Sequence, residues 1–241
     1  TCGSCSGLFT ANSMGCLLEA MGLSLPGNGT SLAVSEHRRN LAFETGQRIV
    51  EAVMNERRPS TVLKKENFRN AFILDMAIGG STNTLLHGLA LARTADVMVS
   101  LEEIGSLAKE VPQIVKIAPA SRVHMEDLHA VGGVMAVLKE LGKKPGLLCL
   151  SAKTAFGDPI GAFIQKAPAA DGEVIRPIDN PFRQDGGLSV LFGNVAPKGG
   201  VIKTGGIDPS IRVFQGKARV FDGEKDAMSA IMTGQIQPGT V

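Results

Sequence analysis

The sequence predicts an α/β fold class in two parts: residues 1–146 rich in helix, and residues 147–241 built from short strands. Three observations carry this expectation. Apolar residues recur at spacings of three and four through the first part, the signature of helices that bury one face. Past Gly146 the apolar runs shorten and are separated by Gly, Pro, Asn and Asp, as in a β-barrel or sandwich. The length, 241 residues, suits one large domain or two ordinary ones at roughly 150 residues each.

The elements follow in chain order. Ala11, Met14, Leu17, Leu18 and Met21 mark a first helix that Gly22 stops, and Pro26-Gly27-Asn28-Gly29 forms a turn beyond it. Residues 36 to 57 read as a half-buried helix, with Leu41, Ile49, Val50, Val53 and Met54 on the inner side and Pro59 as a stop. Glu66 to Ala77 is the next helix, with Phe68, Phe72 and Met76 inward. Gly79-Gly80-Ser81-Thr82-Asn83-Thr84 breaks it before a helix over Leu85 to Ala95. Ser100 and Glu103 match a capping box ahead of Ile104, Leu107 and Ala108. Val111 to Ile117 reads as a strand, and a helix from His124 carries Gly132-Gly133 and then Val134, Val137, Leu138 and Leu141. In the second part Leu147–Leu150, Leu188–Phe192, Val201–Lys203, Ile211–Phe214 and Ala218–Phe221 read as strands, and Gly223–Thr233 as a helix.

Composition removes several classes of function. Hydrophobic residues make up 44% and charged residues 20%, ordinary for a soluble globular protein, and no apolar run reaches the roughly 18 residues of a membrane helix. The net charge of +2 comes from interspersed acids and bases, so no stripe is available to track nucleic-acid phosphates. Three of the four cysteines are bunched, which is not a disulfide framework and points to a reducing compartment. Both ends read as though cut from a longer chain: Thr1 falls inside a dense loop motif, and the last six residues lead into an unwritten strand.

Chemistry concentrates in residues 1–30. Cys2 and Cys5 lie among Gly3, Ser4, Ser6 and Gly7, where the backbone can bend tightly and approach a ligand, just before the first helix. A zinc site, a redox pair or an iron–sulfur ligand each fits this Cys-x-x-Cys pair; a cluster shared with distant segments suits it because no second pair follows. Cys16 and Cys149 read as buried small hydrophobes. The 79–84 loop could bind an anion through free N–H groups and hydroxyls at a helix start; the plainer reading is a turn with Ser81 or Thr82 as N-cap. His124 and His129 point about 140° apart on a helix of 3.6 residues per turn, so a shared metal is not expected.

CGSCSGLFTANSM, GLSLPGNGT, IGGSTNTLLH, KIAPASRVHMEDLHAVGG and DGGLSVLFGNVAPKGGVIKTGG, in that order, resemble the middle of the dihydroxy-acid dehydratases. These belong to the family that also holds phosphogluconate and sugar-acid dehydratases. The resemblance implies that residues 1–146 are the C-terminal part of a cluster-binding α/β domain and 147–241 the N-terminal part of a β-barrel-like domain, in a homodimer. It implies loss of water from 2,3-dihydroxy acids in valine, isoleucine and leucine synthesis, with an iron–sulfur cluster, 2Fe-2S rather than 4Fe-4S, and Mg2+ as cofactors. Cys5 is then a cluster ligand, since family members with one cysteine in this loop keep it there, and Cys2 is its neighbour. Ser81, Thr82 and Asn83 would face the substrate. The family's Asn-Cys-Asp-Lys and Gly-Arg-Phe-Ser-Gly motifs, the latter bearing the base serine, would lie outside Thr1 and Val241, so this chain alone is expected to be inactive. Neither nucleic acid nor membrane is an expected partner. The expected location is the bacterial cytoplasm, an organelle remaining an alternative.

Overall fold

The computed structural model describes residues 6–208, 210 and 213–240. They form two compact units, 1–206 and 207–241. In the first unit lie helices α1 (Thr10–Ala20), α2 (Glu36–Met54), α3 (Pro59–Val62), α4 (Lys65–Ile78), α5 (Thr82–Thr94), α6 (Leu101–Glu110), α7 (Met125–Ala130), α8 (Gly133–Leu141) and α9 (Ile160–Lys166). A two-stranded antiparallel sheet joins β1 (Ser189–Leu191) to β2 (Gly200–Ile202), with Val190 opposite Val201.

α4 is the axis of the first unit. From Asn67 to Ile78 every residue but Arg69 is buried, and α1, α5, α6 and α8 pack around it. A helix covered on all sides must be apolar on all sides or carry polar groups with partners. Phe68, Ala71, Phe72, Ile73, Leu74, Met76, Ala77 and Ile78 meet the first condition. Two amides meet the second. Asn67 Nδ2 donates to the Met21 and Lys153 carbonyls at 2.8 and 2.9 Å, and Asn70 exchanges two 2.9 Å bonds with the Cys149 backbone. The C-terminal end of α1, the loop at Lys153 and the turn at Cys149 are thereby tied to the axis. The segment following Gly146 supplies Leu147, Ala152, Ile160, Ile164, Ile175 and Leu188 to the same core.

Local signals explain where elements stop. The Ser100–Glu103 capping box is formed, the Ser100 hydroxyl accepting from Glu103 N at 3.2 Å and the Glu103 carboxylate from Ser100 N at 3.0 Å. The helix expected to run through Gly132-Gly133 is instead two, because Gly132 at φ 105° and Gly133 at φ 62° lie in the left-handed region. Val111–Ile117 is not a strand. All but Lys116 are buried, but they bridge separate loops, Gln113 to Arg183 and Val115 to Ile175, with no partner among the described residues long enough for a ladder. Leu147–Leu150 is likewise a turn, and Cys149 is half-exposed rather than core.

Of the five α2 residues expected inward, only Leu41 is. Leu41 and Ala52 are buried, but Ile49, Val50, Val53 and Met54 face solvent with Phe43. In the second unit α10 (Glu224–Met232) forms as expected, while Ala218–Phe221 is irregular; Lys217 bridges Thr240 and Arg219 donates to the Gln235 carbonyl at 2.7 Å. The run expected as a strand from Ile211 begins outside the described residues. None of the described helices is long and apolar enough to cross a membrane.

The account of the core predicts that Phe72→Ala costs about 3–5 kcal/mol of unfolding free energy, since it empties a fully buried site on α4. Met98→Ala, on a side chain 86% exposed, is expected to shift it by less than about 0.5 kcal/mol. Denaturant unfolding of the two variants checks both, and equal costs would contradict the assigned core.

Candidate functional site

Two helix starts lie side by side. α4 ends at Gly79, left-handed at φ 62°, and the chain turns into α5 with Ser81 as N-cap, its hydroxyl accepting from Asn83 N at 3.2 Å. The first turn of α1 meets this turn directly. Asn83 Nδ2 donates to Thr10 Oγ1 at 2.8 Å, Thr10 Oγ1 lies 3.3 Å from Ser81 Oγ, and Ser81 N donates to Ser13 Oγ at 3.1 Å. Neither first turn contains an acid. The positive ends of two helix dipoles therefore converge without local neutralisation, beside exposed Thr82 and Asn83, an arrangement suited to an anion.

The loop leading into α1 is held equally firmly. Leu8 N donates to the Ala118 carbonyl, Met125 N to the Ser6 carbonyl and Asn12 Nδ2 to the Gly7 carbonyl, at 2.7–2.8 Å. Gly7 passes so close to Ala118 that a Cβ there would fall 2.8 Å from its oxygen. Cys2 and Cys5 lie outside the described residues. Of the described thiols, Cys16 is fully buried and donates to the Gly29 carbonyl at 3.5 Å; burial, then the charges of Glu19 and Asp75, push its pKa up, so it stays a neutral thiol. Cys149 lies beside Ser151. Neither has the environment of a metal ligand.

Asp75 lies beneath the Ser81 turn and is fully buried. Thr84 Oγ1 is 2.5 Å from its Oδ2 and also contacts the Ser81 carbonyl, while Oδ1 has no hydrogen-bond partner. A Cβ on Gly80 would sit 1.9 Å from Oδ1, so the turn closes only around glycine. Burial pushes the Asp75 pKa up to about 7, opposed by Thr84 and by half-buried Lys203. One hydroxyl proton on Thr84 cannot serve two acceptors. In the carboxylate form Thr84 donates to Oδ2; in the protonated form Oδ2 donates to Thr84 Oγ1, and Thr84 is free to donate to the Ser81 carbonyl.

The Pro26–Thr30 turn is structural. Glu19, buried in α1, accepts from Gly27 N and Gly29 N at 2.8 Å each, which partly offsets the burial that raises its pKa to about 7. Arg38 donates to Asn28 Oδ1 and to the Asn28 and Ser31 carbonyls. Thr30 Oγ1 lies 2.9 Å from His129 Nδ1, and the His129 ring is 5.3 Å from that of His37. His124, the N-cap of α7, lies instead 3.9 Å from Asp127, so it and His129 have different partners.

Of the expected site residues, Ser81 and Asn83 are brought together and Thr82 lies exposed next to them. The sequence reading missed Thr10, Ser13 and Asp75. A lone acid in the otherwise apolar run from Ala71 to Ile78 is the signal that could have revealed Asp75.

Residues 1–163 match the sequence model of the dihydroxy-acid/6-phosphogluconate dehydratase N-terminal domain, and residues 173–241 match that of the C-terminal domain. The chain belongs to this dehydratase family. It is 49% identical over 241 residues to dihydroxy-acid dehydratase from Aquifex aeolicus and 52% identical to that from Caldanaerobacter subterraneus subsp. tengcongensis. All of this chain is covered in each case, against 43% of the relative, so it spans less than half the length of these curated dehydratases. Within the family match, Thr10, Ser13, Asp75 and Ser81–Asn83 fall in the N-terminal model and Lys203 in the C-terminal one.

The two buried carboxyls set a pH dependence. Each has a folded pKa above its unfolded value, so folding takes up protons. The stability they contribute is fully present below about pH 4 and is lost as pH rises through about 7. Asp75→Asn is expected to shrink the fall in unfolding free energy between pH 4.5 and 7, leaving the part due to Glu19. An unchanged slope in that variant would show that Asp75 is ionised throughout.

Proposed function

We propose that the full-length protein removes water from 2,3-dihydroxy acids to give 2-keto acids in branched-chain amino-acid synthesis. The observation that carries this reading is the convergence of the α1 and α5 starts, immediately after the Cys5 loop, in a chain half identical to two dihydroxy-acid dehydratases. Cys5 ligates a 2Fe-2S cluster in this reading, and Cys2 is its neighbour. The firm anchoring of Ser6, Gly7 and Leu8 suits a thiolate held just ahead of a helix start, where the dipole lowers its pKa. When bound, the cluster would supply Lewis acidity for loss of the 3-hydroxyl, and Mg2+ would supply positive charge to the acid end of the substrate.

The chain's own contribution is orientation. The positive ends of the two helix dipoles attract the substrate carboxylate, and Ser81, Thr82 and Asn83 offer hydroxyl and amide groups to its oxygens. Loss of the C2 proton and the 3-hydroxyl as water gives an enol, which tautomerises to the keto acid. The base is a serine beyond Val241, so residues 1–241 alone are inactive. The same reading divides the chain near residue 146 into cluster-binding α/β and barrel-like domains, and places the enzyme in the cytoplasm as a homodimer. A sugar-acid substrate is the second reading, because the family description covers 6-phosphogluconate.

Cys5→Ser in the full-length protein is expected to abolish cluster iron and turnover of 2,3-dihydroxyisovalerate, with Cys2→Ser retaining iron; the reverse pattern would contradict the ligand assignment. Iron analysis, ultraviolet–visible spectra and parallel assays with dihydroxyisovalerate and gluconate check it. Preference for gluconate would favour the second reading, and turnover by residues 1–241 alone would contradict the placement of the base.

A further inference from the structure

Asp75 is half-partnered and lies directly beneath the site. Its Oδ1 has no hydrogen-bond partner, and a Cβ on Gly80 would fall 1.9 Å from that oxygen and 3.6 Å from Ser13 Oγ, so Oδ1 points into the turn where the starts of α1 and α5 meet. On its other side, Thr84 has a single hydroxyl proton to share between Oδ2 and the Ser81 carbonyl. Two protonation states therefore give two arrangements. As a carboxylate, Asp75 holds the Thr84 proton and sets a negative charge against the positive ends of both helices, where an anion is stabilised. As a carboxylic acid it donates to Thr84, Thr84 turns its proton to the Ser81 carbonyl, and the helix starts are left without an internal anion. A side chain kept only to brace the turn would need no charge, since an asparagine could donate to Thr84 from the same position. The titratable groups that face Asp75 are few. From α1 comes Cys16, whose thiol Asp75 and Glu19 together help to keep neutral, and from the segment after β2 comes half-buried Lys203, which favours the carboxylate. Among the described residues no charged side chain of α5, α6 or α8 acts on it.

We propose that Asp75 takes up a proton when the substrate carboxylate binds at the convergence of α1 and α5, the internal anion giving way to the external one. The two negative charges compete for the same pair of dipole ends, and water screens a buried group too little for both to be held there. One proton from the medium becomes the Oδ2–H, no other covalent bond changes, and the proton returns to the medium when the bound acid leaves. The coupling is reciprocal: a proton on Asp75 strengthens carboxylate binding, and bound carboxylate tightens the hold on the proton. The freed Thr84 hydroxyl then braces the carbonyl of Ser81, the residue whose side chain caps α5. In the proposed dehydration, on which this coupling rests, Asp75 is a positioning residue that acts through the turn and touches no reacting atom. The pH dependence has a definite sign. Below about pH 7 Asp75 is already neutral and carboxylate binding is strongest; as pH rises through that value the carboxylate forms and affinity falls.

The test uses the full-length protein with its cofactors bound, and 2-hydroxyisovalerate as the probe, which has the carboxylate and 2-hydroxyl of the proposed substrate and no 3-hydroxyl to lose. Its inhibition constant against turnover of 2,3-dihydroxyisovalerate is expected to rise about five-fold between roughly pH 6 and 8.5, the change that a one-unit rise in the Asp75 pKa on binding would give. Asp75→Asn, neutral at every pH, is expected to hold the constant level over the same range. Thr84→Val removes the bond that favours the carboxylate and is expected to move the midpoint of the rise to higher pH; an Asp75 that only filled space would have no midpoint to move. An inhibition constant independent of pH in the parent, or a rise that survives Asp75→Asn, would overturn the coupling while leaving the dehydratase standing. If circular dichroism shows Asp75→Asn unfolded, Thr84→Val decides alone, and an unmoved midpoint overturns the coupling. A parent that turns over no 2,3-dihydroxy acid would remove the proposed reaction and the coupling with it.

Discussion

The burial of α4 on every side is the constraint from which the rest of the first unit follows. A helix with no solvent-facing stripe can hold polar groups only where each has an assigned partner, and those partners fix neighbouring segments in place. Asn67 fixes the end of α1 and the loop at Lys153, and Asn70 fixes the turn at Cys149. Asp75 fixes the turn that starts α5. The site is thus assembled outward from the axis: a buried acid sets a turn, the turn sets a cap, and the cap meets the first residues of α1.

Strain and electrostatics are concentrated at the same spot. Gly80 exists because Asp75 Oδ1 occupies the space of a side chain, and Oδ1 itself has no donor. An unsatisfied buried oxygen is costly as a charge and far less so as a neutral carboxyl. In its protonated form, populated below a pKa that burial pushes up to about 7, Asp75 leaves the positive ends of α1 and α5 without a counter-charge immediately below them. The convergence then keeps its attraction for an external anion, instead of being cancelled from within the fold.

Much of this was legible in the residues. The α6 box could be read because Ser100 and Glu103 act within one turn, and the α10 and α4 periods because both helices are continuous. Periodicity shows which side of a helix is apolar but not what covers it, so α2 was assigned inward when only Leu41 and Ala52 are buried. Val111–Ile117 has the composition of a strand, yet its partners are two unconnected loops that no local pattern links to it. At the site, Ser81 and Asn83 could be named from the Gly-Gly-Ser-Thr-Asn-Thr signal. Thr10 and Ser13 could not, because their role arises from a contact some seventy residues away in sequence.

The proposed function requires cluster iron on Cys5 and substrate at the Ser81–Asn83 turn. An anaerobic crystal structure of the full-length protein with a bound dihydroxy acid tests it most directly. The account predicts cluster iron bonded to Cys5 Sγ and a substrate oxygen within hydrogen-bond distance of Ser81, Thr82 or Asn83. Substrate bound with none of these three residues in contact, or a cluster with no bond to Cys5, would contradict it.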